Sequence, residues 1–357
     1  RAVLRLLAPH TPWVLVGSHA LGAPTAESDV DALAWGTAPK RAFLSTLAKT
    51  AAQCGLFDAV EYHDTATSAS VKLWMADGTE VDAHYLQSHA RTLDGEQLAE
   101  SSDPETLAMV LEPRALLAMA GPRTPLFLEC LTWVKEGAQA CSVYGQRFGY
   151  IGGLSWAILC LHCLLYWEGP SIDTLADFQV AFPLHFKEWD WSRPVRATQR
   201  ACAPHTPATP ADRCMAVQMC TPPHANTARC VTPPTAAAIR AAIACRFDPS
   251  ASAQPALPYR LTLRVSAFKR EALHWFSRSV HRIVVALSRR AGAIRPSTAL
   301  SHTHTPSGGE CMTWHIHLES TCTAVDLVMD ELQRKLTTQF YHAGAVLEWK
   351  LVTASDV

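Results

Sequence analysis

Residues 17–33 read GSHALGAPTAESDVDAL, a turn of small residues followed by two aspartates that are separated by one residue. If the second half forms a β-strand, Asp29 and Asp31 point to the same face, because side chains alternate along a strand. Two carboxylates this close repel each other unless a cation or a proton lies between them. The pattern therefore favours a divalent-metal site, although Asp-x-Asp by itself also occurs in turns and calcium loops.

A third carboxylate follows in the segment VKLWMADGTEVDAHY, residues 71–85, which predicts a β-hairpin turning at Asp77 and Gly78. Along its second strand Val81 and Ala83 alternate with Asp82, so Asp82 projects from the polar face. Three hard oxygen ligands with open coordination positions suit Mg²⁺ or Mn²⁺. The hairpin therefore predicts Asp82 as the third metal ligand.

The turn before the aspartates has the composition of an anion site. Gly17 and Gly22 allow the backbone to approach a phosphate, and Ser18 adds a hydroxyl. Backbone amides at the beginning of a helix favour an anion. With two metal ions bound by the aspartates, these parts predict an in-line displacement at phosphorus.

Composition divides the 357 residues into three zones, which is consistent with several domains. Residues 1–95 alternate strand and helix signals, and residues 96–255 are mainly helical in pattern. Residues 201–235 hold seven prolines and four cysteines, which indicates an irregular, partly extended segment or a plain linker. Residues 256–357 change to alternating apolar and polar positions. The predicted fold class is α+β and multidomain.

The last zone begins with YRLTLRVSA, residues 259–267, whose alternation is typical of a half-buried strand. A helix, a strand, a helix and a strand follow in the pattern. This βαβαβ order predicts a split-βαβ domain, similar to ferredoxin and RRM domains, with its sheet on one side.

Charge is concentrated in residues 259–296, where nine Arg or Lys stand against one Glu, a net charge of +8. Because the whole chain has a net charge of −1, the remainder carries −9. A basic stretch of this kind indicates an anionic partner.

Targeting and redox signals are few. The most apolar window, GLSWAILCLHCLLYW, has 15 residues, whereas a membrane-spanning helix needs roughly 20, so we expect a buried core helix and no membrane contact. Twelve irregularly spaced cysteines favour a reducing compartment, and Cys160 and Cys163 lack the second ligand pair of a zinc site. The chain begins at Arg1, and we expect it to be a piece of a longer protein.

The segments at 14–33 and 71–85 resemble the nucleotidyltransferase core of the DNA-polymerase-β-like superfamily. Three further segments are similar to eukaryotic poly(A) polymerases in particular: VKEGAQACSVYGQRFGYIGGLSWAILCLHCLLYW at 134–167, FKEWDWSRPV at 186–195 and DRCMAVQMCTPPHANTARCV at 212–231. The resemblance implies a nucleotidyltransferase domain at 1–95, a helical central domain at 96–255 and an RNA-binding domain at 256–357.

The resemblance also implies a role for each matching residue. Asp29, Asp31 and Asp82 match catalytic aspartates that bind two Mg²⁺ or Mn²⁺ ions. The ATP-binding positions implied are Val16, Gly17, Ser18, Thr25, Asp29, Val30, Asp31, Asp82, Lys135, Tyr144, Gly153 and Leu154. The RNA-binding positions implied are Arg260, Arg264, Lys269 and Arg270. The implied reaction adds AMP from ATP to an RNA 3′-end in the nucleus, with cleavage and polyadenylation factors as partners.

Two positions depart from the family pattern. Leu111 and Gly145 stand where the family usually has asparagines that contact the nucleotide. Selection of ATP is therefore open, and a terminal uridylyltransferase-like enzyme is an alternative. An inactive RNA-binding scaffold is a second alternative, although all three aspartates are present.

Overall fold

The computed structural model describes residues 2–25, 28–64, 69–89, 92–93, 103–198, 214–248, 257, 259–267, 270–288, 294–304, 309–319, 323–340 and 345–353. The chain divides into two units. The first consists of Arg1–Thr132, Arg196–Cys202 and Met219–Ala225, and the second of Trp133–Val195, Ala203–Gln218 and Asn226–Val357. The division into three domains stays a prediction.

The first unit contains a five-stranded mixed sheet. Its strands are β1 (Trp13–Leu15), β2 (Val30–Gly36), β3 (Phe57–Asp64), β4 (Ala69–Met75) and β5 (Glu80–Gln87), in the order β1-β2-β5-β4-β3. β2 and β5 pair in parallel, and the other three pairs are antiparallel. The predicted hairpin is confirmed as β4 and β5, with Gly78 in the left-handed conformation at φ +85°. β3 was not predicted, because its apolar positions do not alternate cleanly.

Helices cover this sheet and complete the first unit. They are α1 (Ala2–Leu7), α2 (Gly17–Leu21), α3 (Lys40–Gln53) and α4 (Pro104–Ala120). Leu44 and Leu47 of α3 pack in one apolar core with Val71 and Leu73 of β4. Because these four side chains are at most 3% exposed, their burial contributes strongly to the stability of this layer.

Four helices form the first part of the second unit or lead into it. They are α5 (Thr124–Ala140), in which the boundary between the units falls, α6 (Gly153–Tyr166), α7 (Leu175–Lys187) and α8 (Pro233–Ala244). Residues 155–164 of α6 are all buried, which confirms the predicted core helix. α7 begins with a capping box in which Thr174 and Asp177 satisfy each other's backbone amides. None of the helices in the described ranges is long and apolar enough to cross a membrane.

The second unit ends with an antiparallel four-stranded sheet. Its elements are β6 (Tyr259–Ala267), α9 (Arg270–Ser288), β7 (Ile294–His304), β8 (Glu310–Leu318), α10 (Thr323–Phe340) and β9 (Val346–Thr353), with strand order β7-β8-β6-β9. The predicted βαβαβ order was wrong by one strand, since β7 makes the order βαββαβ. β7 contains Pro296 and many polar residues, and its register shifts between Pro296 and Leu300, so it lacks a clear alternation.

Part of the proline-rich segment, residues 219–225, is anchored within the first unit. The buried Glu112 carboxylate of α4 accepts hydrogen bonds from the backbone amides of Cys220 and Thr221 at 2.8 Å, and from Thr221 Oγ1 at 2.6 Å. Three donors on one buried carboxylate satisfy its charge. Residues 219–225 are therefore a fixed, irregular part of the first unit rather than a plain linker.

Candidate functional site

Asp31 and Asp82 lie side by side on the parallel pair β2 and β5, where they are register partners. Asp29 comes directly before β2, which starts at Val30. Side chains of register partners on adjacent strands share a face of the sheet. The structure therefore brings Asp31 and Asp82 together, although they are 51 positions apart in the sequence.

The Lys72 ammonium lies among these carboxylates. Its Nζ is 2.7 Å from Glu80 Oε2, 3.6 Å from Asp82 Oδ2 and 3.8 Å from Asp29 Oδ2. Lys72 is the register partner of Asp82 on β4. Lys72 is not among the site residues that were predicted from the sequence. The signal was available, since Lys72 occupies a polar position between Val71 and Leu73 on the strand that pairs with Asp82.

Burial and mutual repulsion disturb the ionisation of this cluster. Burial, followed by the charges of Asp82 and Asp29, raises the pKa of Asp31 to about 7. Burial also raises the pKa of Asp82, against the opposing effect of Lys72. Burial lowers the pKa of Lys72, but the neighbouring carboxylates outweigh burial, so its pKa is raised overall. The cluster has more negative charge than its surroundings accommodate, and it would gain from a further cation.

The turn at Gly17 is packed directly against Asp31. The Val16 amide donates to the Asp31 carbonyl oxygen at 2.9 Å, which joins the start of α2 to β2. Gly17 has φ +61°, and a Cβ there would collide with Asp31 Oδ2. Glycine is therefore required at this position both by backbone conformation and by space. The GS turn is thus packed against the Asp-x-Asp strand, and their joint binding of a nucleotide stays a prediction.

For three other residues predicted around the triphosphate, the structure shows packing or hydrogen bonds within the protein itself. The Val16 side chain is fully buried in the core, so only its backbone faces the turn. The Thr25 amide and hydroxyl both bond to the Ser28 hydroxyl, at 2.9 and 3.1 Å. Val30, the first residue of β2, packs against the apolar core that the sheet shares with α3. Whether they contact a nucleotide stays a prediction.

The carboxylate oxygens of the cluster are donors of the kind that bind divalent ions. Their arrangement, however, is not that of a complete coordination shell. In the described ranges no group of three or more His, Cys, Asp or Glu side chains is positioned to hold a metal. Asp29, Asp31 and Asp82 nevertheless supply hard oxygen donors, and burial, followed by the charges of Asp82 and Asp29, raises the pKa of Asp31. These features are compatible with Mg²⁺ or Mn²⁺.

A second group of predicted residues converges within the second unit. A Cβ placed on Gly153 would lie 2.9 Å from the Tyr144 hydroxyl, 3.7 Å from Lys135 Cε and 4.0 Å from Lys135 Nζ. Gly153 begins α6, and Leu154 is the next residue of that helix. Lys135 is 1% exposed, and burial lowers its pKa to about 8. Lys135, Tyr144 and Gly153 thus lie close together, and their contact with a nucleotide stays a prediction.

The backbone between Tyr144 and Gly153 has a bridge and a positive φ angle that were not predicted from the sequence. Tyr144 forms a bridge with Ile151, and Gly145 has φ +106°. A side chain at Gly145 would be strained, which gives a structural reason for glycine at this departure from the family pattern. The buried Tyr150 hydroxyl donates to the Pro296 carbonyl oxygen of β7 at 3.2 Å.

The structure describes only some of the predicted RNA-binding side chains. Arg260 and Arg264 share one face of β6 because they are four residues apart on the strand. Arg264 is exposed, and its guanidinium donates to Cys311 Sγ at 2.9 Å and lies 3.9 Å from Glu348 Oε2. The Arg260 Nε is buried without a hydrogen-bond partner in the described part of the chain. Lys269 and the Arg270 side chain lie outside the described residues.

Comparison with known proteins gives matches to poly(A) polymerases. Residues 126–250 match the poly(A) polymerase central domain. The chain is 32% identical over 107 residues to poly(A) polymerase PAPalpha of Candida albicans, and 31% identical over 111 residues to PAPa of the same organism. These alignments cover 29% and 30% of this chain, and only 18% and 19% of the Candida proteins.

Solved structures share the fold at low sequence identity. The Cid1 poly(U) polymerase with bound Mg 3′-dATP has a TM-score of 0.52 at 12% identity, and covers 69% of this chain and 83% of its own. Terminal uridylyl transferase 4 from Trypanosoma brucei with bound GTP has a TM-score of 0.50 at 13% identity, and covers 69% and 92%. The chain therefore shares its fold with these two structures over 69% of its length.

The family match is more specific than the shared fold. Its residues 126–250 include the three segments that resemble poly(A) polymerases, at 134–167, 186–195 and 212–231. The central part of the chain is therefore similar to poly(A) polymerases, and the resemblance of these segments is confirmed.

Proposed function

We propose that this protein is a template-independent polymerase that adds AMP from ATP to the 3′-end of RNA. The observation that carries the proposal is the Asp31 and Asp82 pair, packed against the start of α2 at Gly17. Carboxylates beside a glycine turn are the parts that nucleotidyl transfer requires. The poly(A) polymerase match at 126–250 supports ATP as the nucleotide.

The chain's own side chains have distinct roles in this reaction. Asp29, Asp31 and Asp82 would hold two divalent ions, which supply Lewis acidity toward the phosphoryl oxygens. Asp82, whose pKa is raised by burial, accepts the proton of the attacking 3′-hydroxyl. The Gly17 and Ser18 backbone amides, at the start of α2, face the triphosphate. The 3′-hydroxyl oxygen attacks the α-phosphorus of ATP, and pyrophosphate leaves.

The second group of residues positions the nucleotide. Lys135 contributes a positive charge toward the phosphates. Tyr144 contacts the base or ribose, and Gly153 and Leu154 line the adenine pocket, where the missing glycine side chain allows a flat base to approach. The proximity of Lys135, Tyr144 and Gly153 supports a shared role.

RNA is held by the basic C-terminal region in this proposal. Arg260, Arg264, Lys269 and Arg270 contact the phosphate backbone with little sequence preference. Binding of this kind weakens steeply as salt increases, because counterions are released. The resemblance also supports a nuclear role with cleavage and polyadenylation factors, which immunoprecipitation from nuclear extract would test by recovering those factors.

The test is extension of a labelled oligoadenylate primer with each ribonucleotide in turn, in Mg²⁺ or Mn²⁺, beside an Asp31→Ala variant. Growth with ATP alone that disappears in Asp31→Ala supports the proposal. Primer binding without extension under every condition supports an inactive scaffold instead.

Uridylyl transfer is the second candidate, because Leu111 and Gly145 replace two polar residues that the family usually places near the nucleotide. Loss of two hydrogen-bonding groups weakens discrimination between bases. Faster extension with UTP than with ATP in the same assay supports this candidate.

A further inference from the structure

Lys72 is placed so that it neutralises the carboxylate cluster of the candidate site. Its Nζ lies within 4 Å of carboxylate oxygens from Asp29, which precedes β2, and from Glu80 and Asp82 of β5. Its side chain is 19% exposed, and the strand pairing with Asp82 fixes its position. An ion pair held in a shallow, partly buried site is screened less than one at the open surface.

The same space suits the divalent ions of the proposed reaction. A cation bound by Asp29 and Asp82 would compete with Lys72 for the same oxygen atoms. Two cations close together repel each other, as two anions do. Metal binding therefore requires Lys72 to release at least part of its ion pairs.

We propose that Lys72 is the built-in counter-cation of the Asp29, Asp31 and Asp82 cluster, and that it sets the metal affinity by occupying the cluster until a divalent ion displaces it. This inference rests on the proposed function, since it assigns the cluster to divalent ions. Lys72 is a positioning residue in this account. It keeps the carboxylates together when no metal is bound, and it allows metal binding only when the ion displaces its ammonium group from the carboxylate oxygens.

The test is calorimetric titration of the metal-free protein with MnCl₂, without nucleotide or RNA. Lys72→Met removes the charge and keeps much of the side-chain length, and we expect it to tighten Mn²⁺ binding about tenfold or more. Lys72→Arg keeps the charge and should bind within about threefold of the unmodified protein. Lys49→Met changes net charge equally at an exposed position on α3, and should leave the affinity unchanged.

A second measurement, the stability of Lys72→Met with and without metal, tests the inference even if this variant folds poorly. We expect Lys72→Met to melt at a lower temperature than the unmodified protein without metal, and excess Mn²⁺ to remove most of that difference. If Lys72→Met is unfolded without metal, recovery of its circular dichroism signal on adding Mn²⁺ supports the inference, and failure to recover overturns it.

The outcomes separate this inference from the proposed function. If the unmodified protein binds Mn²⁺ and Lys72→Met binds equally or more weakly, Lys72 is not a competing counter-cation and only this inference fails. If neither protein binds Mn²⁺, both fail. Binding by Lys72→Met alone supports the inference, because it shows that the lysine blocks the site.

Discussion

Asp31 faces Asp82 across the parallel strands β2 and β5, and burial together with the neighbouring carboxylates raises the pKa of Asp31 to about 7. This pair lies at the centre of the candidate site, and its electrostatics are unfavourable. Replacing Asp31 with Asn should abolish primer extension and stabilise the metal-free protein at pH 8, because it removes a charge that burial and then the neighbouring carboxylates disfavour. The gain is on the order of 2 kcal/mol after solvent screening.

Urea denaturation at pH 8 with EDTA measures that stability change, and Asp330→Asn on the exposed face of α10 is the control. Equal or lower stability of Asp31→Asn would contradict the account of the site as electrostatically strained.

Gly17→Ala tests the contact between the turn and the strand. Its Cβ would collide with the Asp31 carboxylate, and φ +61° costs a non-glycine residue about 1–2 kcal/mol. We expect extension activity to fall at least about 100-fold, which corresponds to roughly 3 kcal/mol in the transition state. Gly55→Ala is a matched control, because Gly55 also has positive φ but a Cβ there meets nothing within 4 Å. Comparable activity in both variants would argue against the Gly17 contact.

Gly153→Ala tests the second group. The added methyl group would press on the Tyr144 hydroxyl and approach Lys135. We expect KM for ATP to rise about tenfold while Mn²⁺ affinity without nucleotide is unchanged, because the carboxylate cluster is untouched. Steady-state kinetics measure the KM for ATP, and calorimetric titration measures the Mn²⁺ affinity. A change in Mn²⁺ affinity with unchanged KM would exclude a nucleotide-positioning role.

Glu112→Ala should destabilise the protein, because it leaves the amides of Cys220 and Thr221 without their acceptor. Unsatisfied buried donors cost about 1–3 kcal/mol each. We expect a loss of about 3 kcal/mol in urea denaturation, with Glu112→Gln intermediate because its amide oxygen still accepts. Faster proteolysis between residues 214 and 231 should accompany the loss. Unchanged stability in Glu112→Ala would show that the segment is held by other contacts.

His185 on α7 should make the protein sensitive to acid. Burial, and to a lesser extent the charge of His162, lowers the pKa of His185 to about 4, below its usual 6.5. Its Nε2 is buried without a hydrogen-bond partner in the described residues. The unfolded chain therefore binds more protons than the folded one between pH 6.5 and 4, and stability falls as the pH drops through this window.

The full effect of His185 is on the order of 3 kcal/mol. His185→Phe should flatten the dependence of unfolding free energy on pH between 6.5 and 4. Burial also lowers the pKa of His84 to about 4, so the dependence should shrink rather than vanish. An identical slope in both proteins would show that His185 is not responsible.

Local patterns in the sequence determined the elements whose burial alternates or repeats regularly. YRLTLRVSA predicted β6 with the bounds that the structure has, Tyr259–Ala267, and the apolar run at 153–167 predicted the buried helix α6. The spacing of Asp29, Asp31 and Asp82 predicted a carboxylate site because residue type and strand period are both local properties. The poly(A) polymerase resemblance likewise rested on short segments of sequence.

Pairing between distant segments was decided only by the tertiary structure. β2 and β5 become parallel neighbours although a helix and two strands lie between them, and this pairing places Asp31 beside Asp82. β7 was missed because Pro296 and its polar residues give no periodic signal, while the pairing with β8 makes it a strand. Lys72 joins the cluster for the same reason. Periodicity reports how one segment is buried, whereas the free energy that selects its partner comes from contacts with residues far away in the chain.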